Sequence, residues 1–167
     1  LDRGADINKA DNGGNTPLLL ASSNGKVEVV RVLADRGANI NKADNGGITP
    51  LSDASFKGHL EIVRILVDRG ADINKAMYNG VTPLMIASGE GHIEVVELLM
   101  EKGADINKAN NNGATPLIVA SEMGHVEVVR VLVERGADIN KAMNDGATPL
   151  IIASQKSHVD MVRVLVE

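Results

Sequence analysis

Three observations in the sequence predict an all-α repeat solenoid built from helix-turn-helix pairs with projecting β-hairpin loops. The dipeptide Thr-Pro recurs at 16, 49, 82, 115 and 148, always 33 residues apart. Each interval carries two short helix signals and one Asn-Gly or Asp-Gly turn signal. The chain is 44% apolar yet holds one Tyr and one Phe, so Leu, Val, Ile, Ala and Met must build the core without the aromatic area most cores use. A period that never slips describes a single array over 1–167, in which every unit packs on its neighbours.

The elements follow in order. Residues 1–10 supply the end of a second helix and a hairpin, as a partial repeat. The full units run 11–43, 44–76, 77–109 and 110–142, and a truncated fifth occupies 143–167. Within a unit, threonine before proline opens the first helix: its hydroxyl accepts from an orphan N–H, and Pro at the first helical position gives up a donor that has no partner anyway. That helix runs about eight residues and closes near Gly25, Gly58, Gly91 or Gly124 with a left-handed residue. Ser157 takes this place in the last unit, which predicts strain.

The second helix, HVEVVRVLVERG at 125–136 for example, carries a wide apolar stripe that requires burial. Glu127, Arg130 and Glu134 fall on its other face and are expected to form local ion pairs worth a few tenths of a kcal/mol. The third repeat has Glu97 where others have Arg, so Glu94, Glu97 and Glu101 repel mildly. The segment GADINKAMNDG then carries the turn. Asn-Gly at 12, 45, 79 and 112 and Asp-Gly at 145 are hairpin signals, because both residue types tolerate positive φ.

Composition excludes several classes. The net charge of -5 with no long basic run argues against nucleic acid. No apolar run approaches the ~20 residues of a membrane span, and no signal peptide is apparent, so the default expectation is an intracellular, cytoplasmic protein that does not engage a membrane. Without cysteine there is no disulfide and no thiolate metal site.

The residue types that carry chemistry recur once per unit instead of converging. His59, His92, His125 and His158 are expected about 8–10 Å apart along a stack, too far to share a zinc ion, and they read as structural residues at the start of the second helix. Ser, His and Asp likewise form ladders where a hydrolase needs one convergent site. The glycines of DNGGNTPL lack the Gly-Lys-Ser/Thr of a phosphate loop. Lys9, Lys42, Lys75, Lys108 and Lys141 are interleaved with Asp6, Asp72, Asp105 and Asp138, which marks a solvated flank of the hairpins. No catalytic, metal or cofactor-binding residue is assigned, and the chain is read as a non-enzyme.

The stretch GADINKANNNGATPLIVASEMGHVEVVRVLVERGADIN at 103–140 resembles the ankyrin repeat, with its Gly-Ala-Asp hairpin, its Thr-Pro-Leu helix start and its Gly-His before a Val-Glu-Val-Val helix. The resemblance spans the whole chain. It implies L-shaped repeats stacked into a solenoid with a concave face, and a protein partner held by hairpin tips and first-helix ends. Departures are visible. The histidine that follows Thr-Pro-Leu in the family is replaced by Leu19, Ser52, Met85, Ile118 and Ile151, which removes a side chain that helps lock neighbouring repeats. The family's Ala-Ala becomes Ala-Ser at Ser22, Ser55, Ser88, Ser121 and Ser154. Asn8, Asn41, Asn74, Asn107 and Asn140 stand where ankyrin asparagines can be hydroxylated; hairpin hydrogen bonding is the simpler role. The last unit keeps apolar residues where a terminal repeat carries polar ones, so end-to-end self-association, or a longer array from which this is a piece, is expected.

Carried over slot by slot, the implied partner-binding residues are Asn12 and Asn15; Asn45 and Ile48; Tyr78, Asn79 and Val81; Asn111 and Asn112; Asn144 and Asp145 at the tips. At the helix ends they are Phe56 and Lys57, Glu90, Glu122 and Met123. Both aromatics, Phe56 and Tyr78, fall on neighbouring binding slots, and aromatics are favoured interface anchors. Asp53 stands where Leu20, Ile86, Val119 and Ile152 stand elsewhere, so it needs a hydrogen-bonding partner or water; Ser52 and Ser55 are the nearby candidates. The functional expectation is a non-enzymatic scaffold for protein–protein interaction. The alternatives are a structural spacer array, or an engineered, consensus-like repeat protein without a specific natural partner.

Overall fold

A computed structural model describes residues 4–167 and contains ten helices among them, arranged as five pairs. The helix end expected at residues 1–3 lies outside the described residues. The first helices are α1 (Pro17–Ser23), α3 (Pro50–Phe56), α5 (Pro83–Glu90), α7 (Pro116–Met123) and α9 (Pro149–Gln155). The second helices are α2 (Val27–Asp35), α4 (Leu60–Asp68), α6 (Ile93–Glu101), α8 (Val126–Glu134) and α10 (Val159–Val166). Each opens where the sequence places it. Thr16, Thr49, Thr82, Thr115 and Thr148 all cap a first helix through their side chains, with Pro following.

Each helix packs on its counterpart in the next repeat, which makes two parallel rows. The first-helix row is held more closely than the second, because its contact stripe carries alanine: Ala54, Ala87, Ala120 and Ala153 are fully buried. Closer spacing in one row curves the stack toward that side. Between the rows lies a continuous aliphatic core that includes Leu51, Ile62, Leu66, Leu84, Leu99, Leu117 and Leu132. No single unit can bury these alone. Val29 shows this best: it is 49% exposed, while Ile62, Val95, Val128 and Met161 in the same slot are 2% exposed or less, each covered by the repeat before it.

The hairpin loops form no β-strand among the described residues, and their turns differ in one further detail from the sequence expectation. In repeats 1 and 2 neither residue of the Asn-Gly pair adopts positive φ. The next residue does, with φ 85° at Gly14 and 82° at Gly47. Gly47 N–H donates to the Asp44 carbonyl at 3.1 Å and Asp44 N–H to Ile48 at 3.0 Å, so the loop is a three-residue hairpin closed by a left-handed glycine. The helix connections agree with expectation: Ser157 sits at φ 59°, the one non-glycine residue with positive φ among those described, a conformation that costs about 1 kcal/mol for an L side chain.

Neighbouring repeats are tied by recurring polar bonds, and several residues that looked merely solvated serve here. The Oδ1 atoms of Asn8, Asn41, Asn74 and Asn107 accept N–H bonds of 2.7–2.9 Å from residues of the next repeat. Lys42 and Lys141 Nζ each donate to the preceding Asn carbonyl at 3.0 Å, and Lys108 does so at 3.4 Å. His92 and His125 Nε2 each donate to a first-helix carbonyl of the preceding repeat at 2.9 Å. The slot of the family histidine is filled by buried Leu19, Ser52, Met85 and Ile118. On the second-helix side, ion pairs cross from Asp35 to Arg69 and from Asp68 to Lys102. The hydrogen bond from Lys102 holds the Asp68 carboxyl below the usual carboxylate range. Arg130 Nε approaches Glu127 at 3.7 Å, whereas Glu134, its other expected partner, forms no ion pair among the described residues.

Candidate functional site

The predicted site residues fall into two groups once their bonds are followed. The first belongs to a ladder of hairpin tips. Asn45 donates through its main chain to Gly13 at 3.0 Å and through Nδ2 to Asn12 at 3.1 Å. Asn111 makes the same two bonds to Asn79 and Tyr78, and Asn144 to Asn112 and Asn111. Their amides are therefore taken up in joining hairpins. Asn15 is folded back onto both carboxylate oxygens of Asp11, and its hydrogen bonds hold the Asp11 carboxyl below its ordinary range. Asp145 accepts from Ala147 N–H.

Tyr78 occupies the ladder slot in repeat 3 and cannot supply the amide. The rung to repeat 2 is missing, and the ring lies against Gly47, 77% exposed. Lys75, alone among the lysines that follow a described repeat, also lacks the bond to the preceding Asn carbonyl that Lys42, Lys108 and Lys141 make. The hairpins of repeats 2 and 3 are thus the least tied pair.

The second group converges beside that break. Ile48, Phe56, Met77 and Ile86 line a concave groove of about 290 Å³ together with Ser52 and Asp53. An adjoining hollow shares Phe56 and Ile86 and continues past Val81, Met85 and Gly89 to Glu90, Val119 and Met123. Gly89 contributes by absence: a Cβ there would come within 2.8 Å of Val119 Cγ1, so glycine lets α5 and α7 close together. Phe56 is 44% and Met123 57% exposed, large values for apolar side chains. Lys57 Nζ lies 5.0 Å from the centre of the Phe56 ring, in cation–π range.

Of the residues expected to bind a partner, the groove unites Ile48, Phe56, Val81, Glu90 and Met123. Tyr78 and Lys57 flank it through Gly47 and the Phe56 ring. Asn12, Asn15, Asn144 and Asp145 belong to the outer repeats and do not line it, nor do Asn79, Asn112 and Glu122.

Met77, Ile86 and Val119 were not expected there. Met77 had a signal: Asp11, Asp44 and Asn110 hold that slot in repeats 1, 2 and 4, and Asp44 Oδ1 accepts the N–H of Gly46 and Ile48 at 2.8 Å. Repeats 3 and 5 instead carry methionine there, and Met143 packs on Ala114, Ile118 and Ile152 as an apolar wall residue. Ile86 and Val119 share the slot of Asp53, which is half-buried in repeats 2 to 4.

This slot also corrects the reading of Asp53. Ser52 and Ser55 are not its partners: Ser52 closes a capping box with Thr49, and Ser55 Oγ donates to the Leu51 carbonyl at 2.8 Å. The half-buried Asp53 carboxylate makes no hydrogen bond or ion pair among the described residues and opens onto the groove. The histidines are spaced along the stack, and among the described residues no group of three or more His, Asp or Glu could hold a metal ion. No described helix is long and apolar enough to cross a membrane.

Comparison with known proteins agrees with this architecture. The model of the family described as ankyrin repeats (3 copies) matches residues 1–77, 74–143 and 107–167. Among curated proteins nothing matches.

Proposed function

The chain belongs to the ankyrin-repeat family, and from that premise we propose that it is a non-enzymatic scaffold which binds a protein partner on its concave face, centred on Phe56. Members of this family are generally protein–protein interaction modules. The observation that carries the reading is the groove itself: a run of apolar side chains across repeats 2 to 4 on the first-helix side, half-buried for the most part and exposed at Phe56 and Met123. Aromatic and methionine side chains in such a position are the usual anchors of an interface. A pure spacer has no use for this cluster, since single exposed apolar residues need no explanation but a contiguous patch does.

The decisive test is affinity capture from a lysate of the cells that make the protein, with the intact array and with Phe56→Ala. A partner retained by the first and lost by the second supports the reading. A partner captured equally by both removes Phe56 from the interface. A cytoplasmic setting suits such a scaffold. Self-association is a further property of the proposal, because Val29 and Val32 at one end and Ile151, Val159 and Val166 at the other are 44% exposed or more. Sedimentation at rising concentration measures it, and strictly monomeric behaviour removes it.

A further inference from the structure

We propose that the groove takes a basic amphipathic peptide segment, one that sets a lysine or arginine between aliphatic side chains. This rests on the scaffold reading above and specifies the partner's chemistry. The lining is aliphatic and aromatic with two charged residues, Asp53 and Glu90, both acidic. Neither makes an ion pair within 4 Å among the described residues. Asp53 is the sharper of the two. It is half-buried in a slot that holds Leu, Ile or Val in every other repeat, and its carboxylate has no donor among the described residues.

A carboxylate set in an apolar wall lies beside a low-dielectric surface, so a cation brought by a partner gains more there than on open, fully polar surface. Lys57, four residues after Asp53, leans over the Phe56 ring, and no ion pair joins the two among the described residues. The apolar floor then receives the partner's aliphatic side chains, and the two carboxylates fix its register. An acidic segment meets like charge at both positions, and the net charge of -5 opposes its approach at long range.

The test is selection of random dodecapeptides displayed on phage against the intact chain at physiological salt. Binding of the selected peptides is then measured to the wild type, Phe56→Ala, the double variant Asp53→Asn with Glu90→Gln, and a control double variant, Glu94→Gln with Glu101→Gln, on the second-helix side. Circular dichroism establishes that each variant is folded. The expected outcome is enrichment of Lys or Arg beside aliphatic residues. Affinity should fall roughly tenfold for the Asp53/Glu90 variant and stay unchanged for the control. Peptides that need Phe56 but are acidic or neutral, or that ignore the Asp53/Glu90 substitutions, overturn the basic-segment assignment and leave the scaffold reading standing. An equal loss in the control variant shows general charge attraction and likewise overturns the assignment. Peptides indifferent to Phe56→Ala, or no enrichment at all, overturn both.

Discussion

His92 Nε2 lies 2.9 Å from the main-chain carbonyl oxygen of Phe56, so the residue that starts α6 in repeat 3 holds the end of α3 in repeat 2. A carbonyl can only accept, which assigns the proton to Nε2. The same ring covers Gly58, where a Cβ would come within 2.7 Å of it. One side chain thereby fixes the groove's central aromatic from the neighbouring repeat.

His92→Ala removes this hydrogen bond and the packing on Gly58. A loss of about 1–2 kcal/mol is expected, visible as a melting temperature lower by roughly 2–6 °C. Partner binding should weaken as well, because the end of α3 loses its hold. A variant that melts lower yet binds unchanged shows that Phe56 is positioned without His92.

Tyr78→Asn restores the missing rung of the hairpin ladder, on the pattern of Asn111 with Asn79 and Tyr78. Stability should rise by about 1 kcal/mol, and amide exchange at the tip of repeat 3 should slow. If partner binding then drops, Tyr78 trades ladder stability for contact; if exchange is unchanged, the break has another cause.

Ser88 and Ser121 have buried hydroxyls without partners among the described residues, whereas Ser55 Oγ donates to the Leu51 carbonyl at 2.8 Å. Ser88→Ala and Ser121→Ala should be neutral or stabilising by up to about 1 kcal/mol, and Ser55→Ala should cost about 1 kcal/mol. Urea denaturation compares the three directly. A clear destabilisation by Ser88→Ala contradicts the assignment of an unpaired hydroxyl.

Glu97→Arg should raise stability by about 0.5 kcal/mol. Arg31, in the same slot of repeat 1, lies 3.8 Å from its own Glu28 and 3.1 Å from Glu61 of the next repeat. At Glu97 the corresponding neighbours, Glu94 and Glu127, are both acidic. A melting temperature that is unchanged or lower, measured at low salt where such pairs count most, refutes this account.

Most of the fold was legible because each signal is local and repeated five times. Thr49 caps its helix within three residues, and Pro50 fixes the first turn wherever the rest of the chain lies. The binding surface was legible only in part. Phe56 and Tyr78 stood out as the chain's only aromatics, but Met77, Ile86 and Val119 hid among apolar residues. Periodicity cannot tell a half-open concave slot from a closed one. The tip asparagines carry a role that spacing alone does not show: the side-chain amides of Asn45, Asn111 and Asn144 donate to the preceding hairpin.

The sequence by itself determined the period, the helix starts and stops and the aliphatic core, since these depend on residue types at short spacing. Tertiary structure decided which polar residues join repeats and which remain unpaired. Asn74 and Asp105 are 31 residues apart and become bonded only when units stack. Asp53 illustrates the difference most clearly. Its sequence position shows that the pattern is broken, but only the packing of α3 against its neighbours shows that the carboxylate opens onto an apolar groove and has no donor among the described residues.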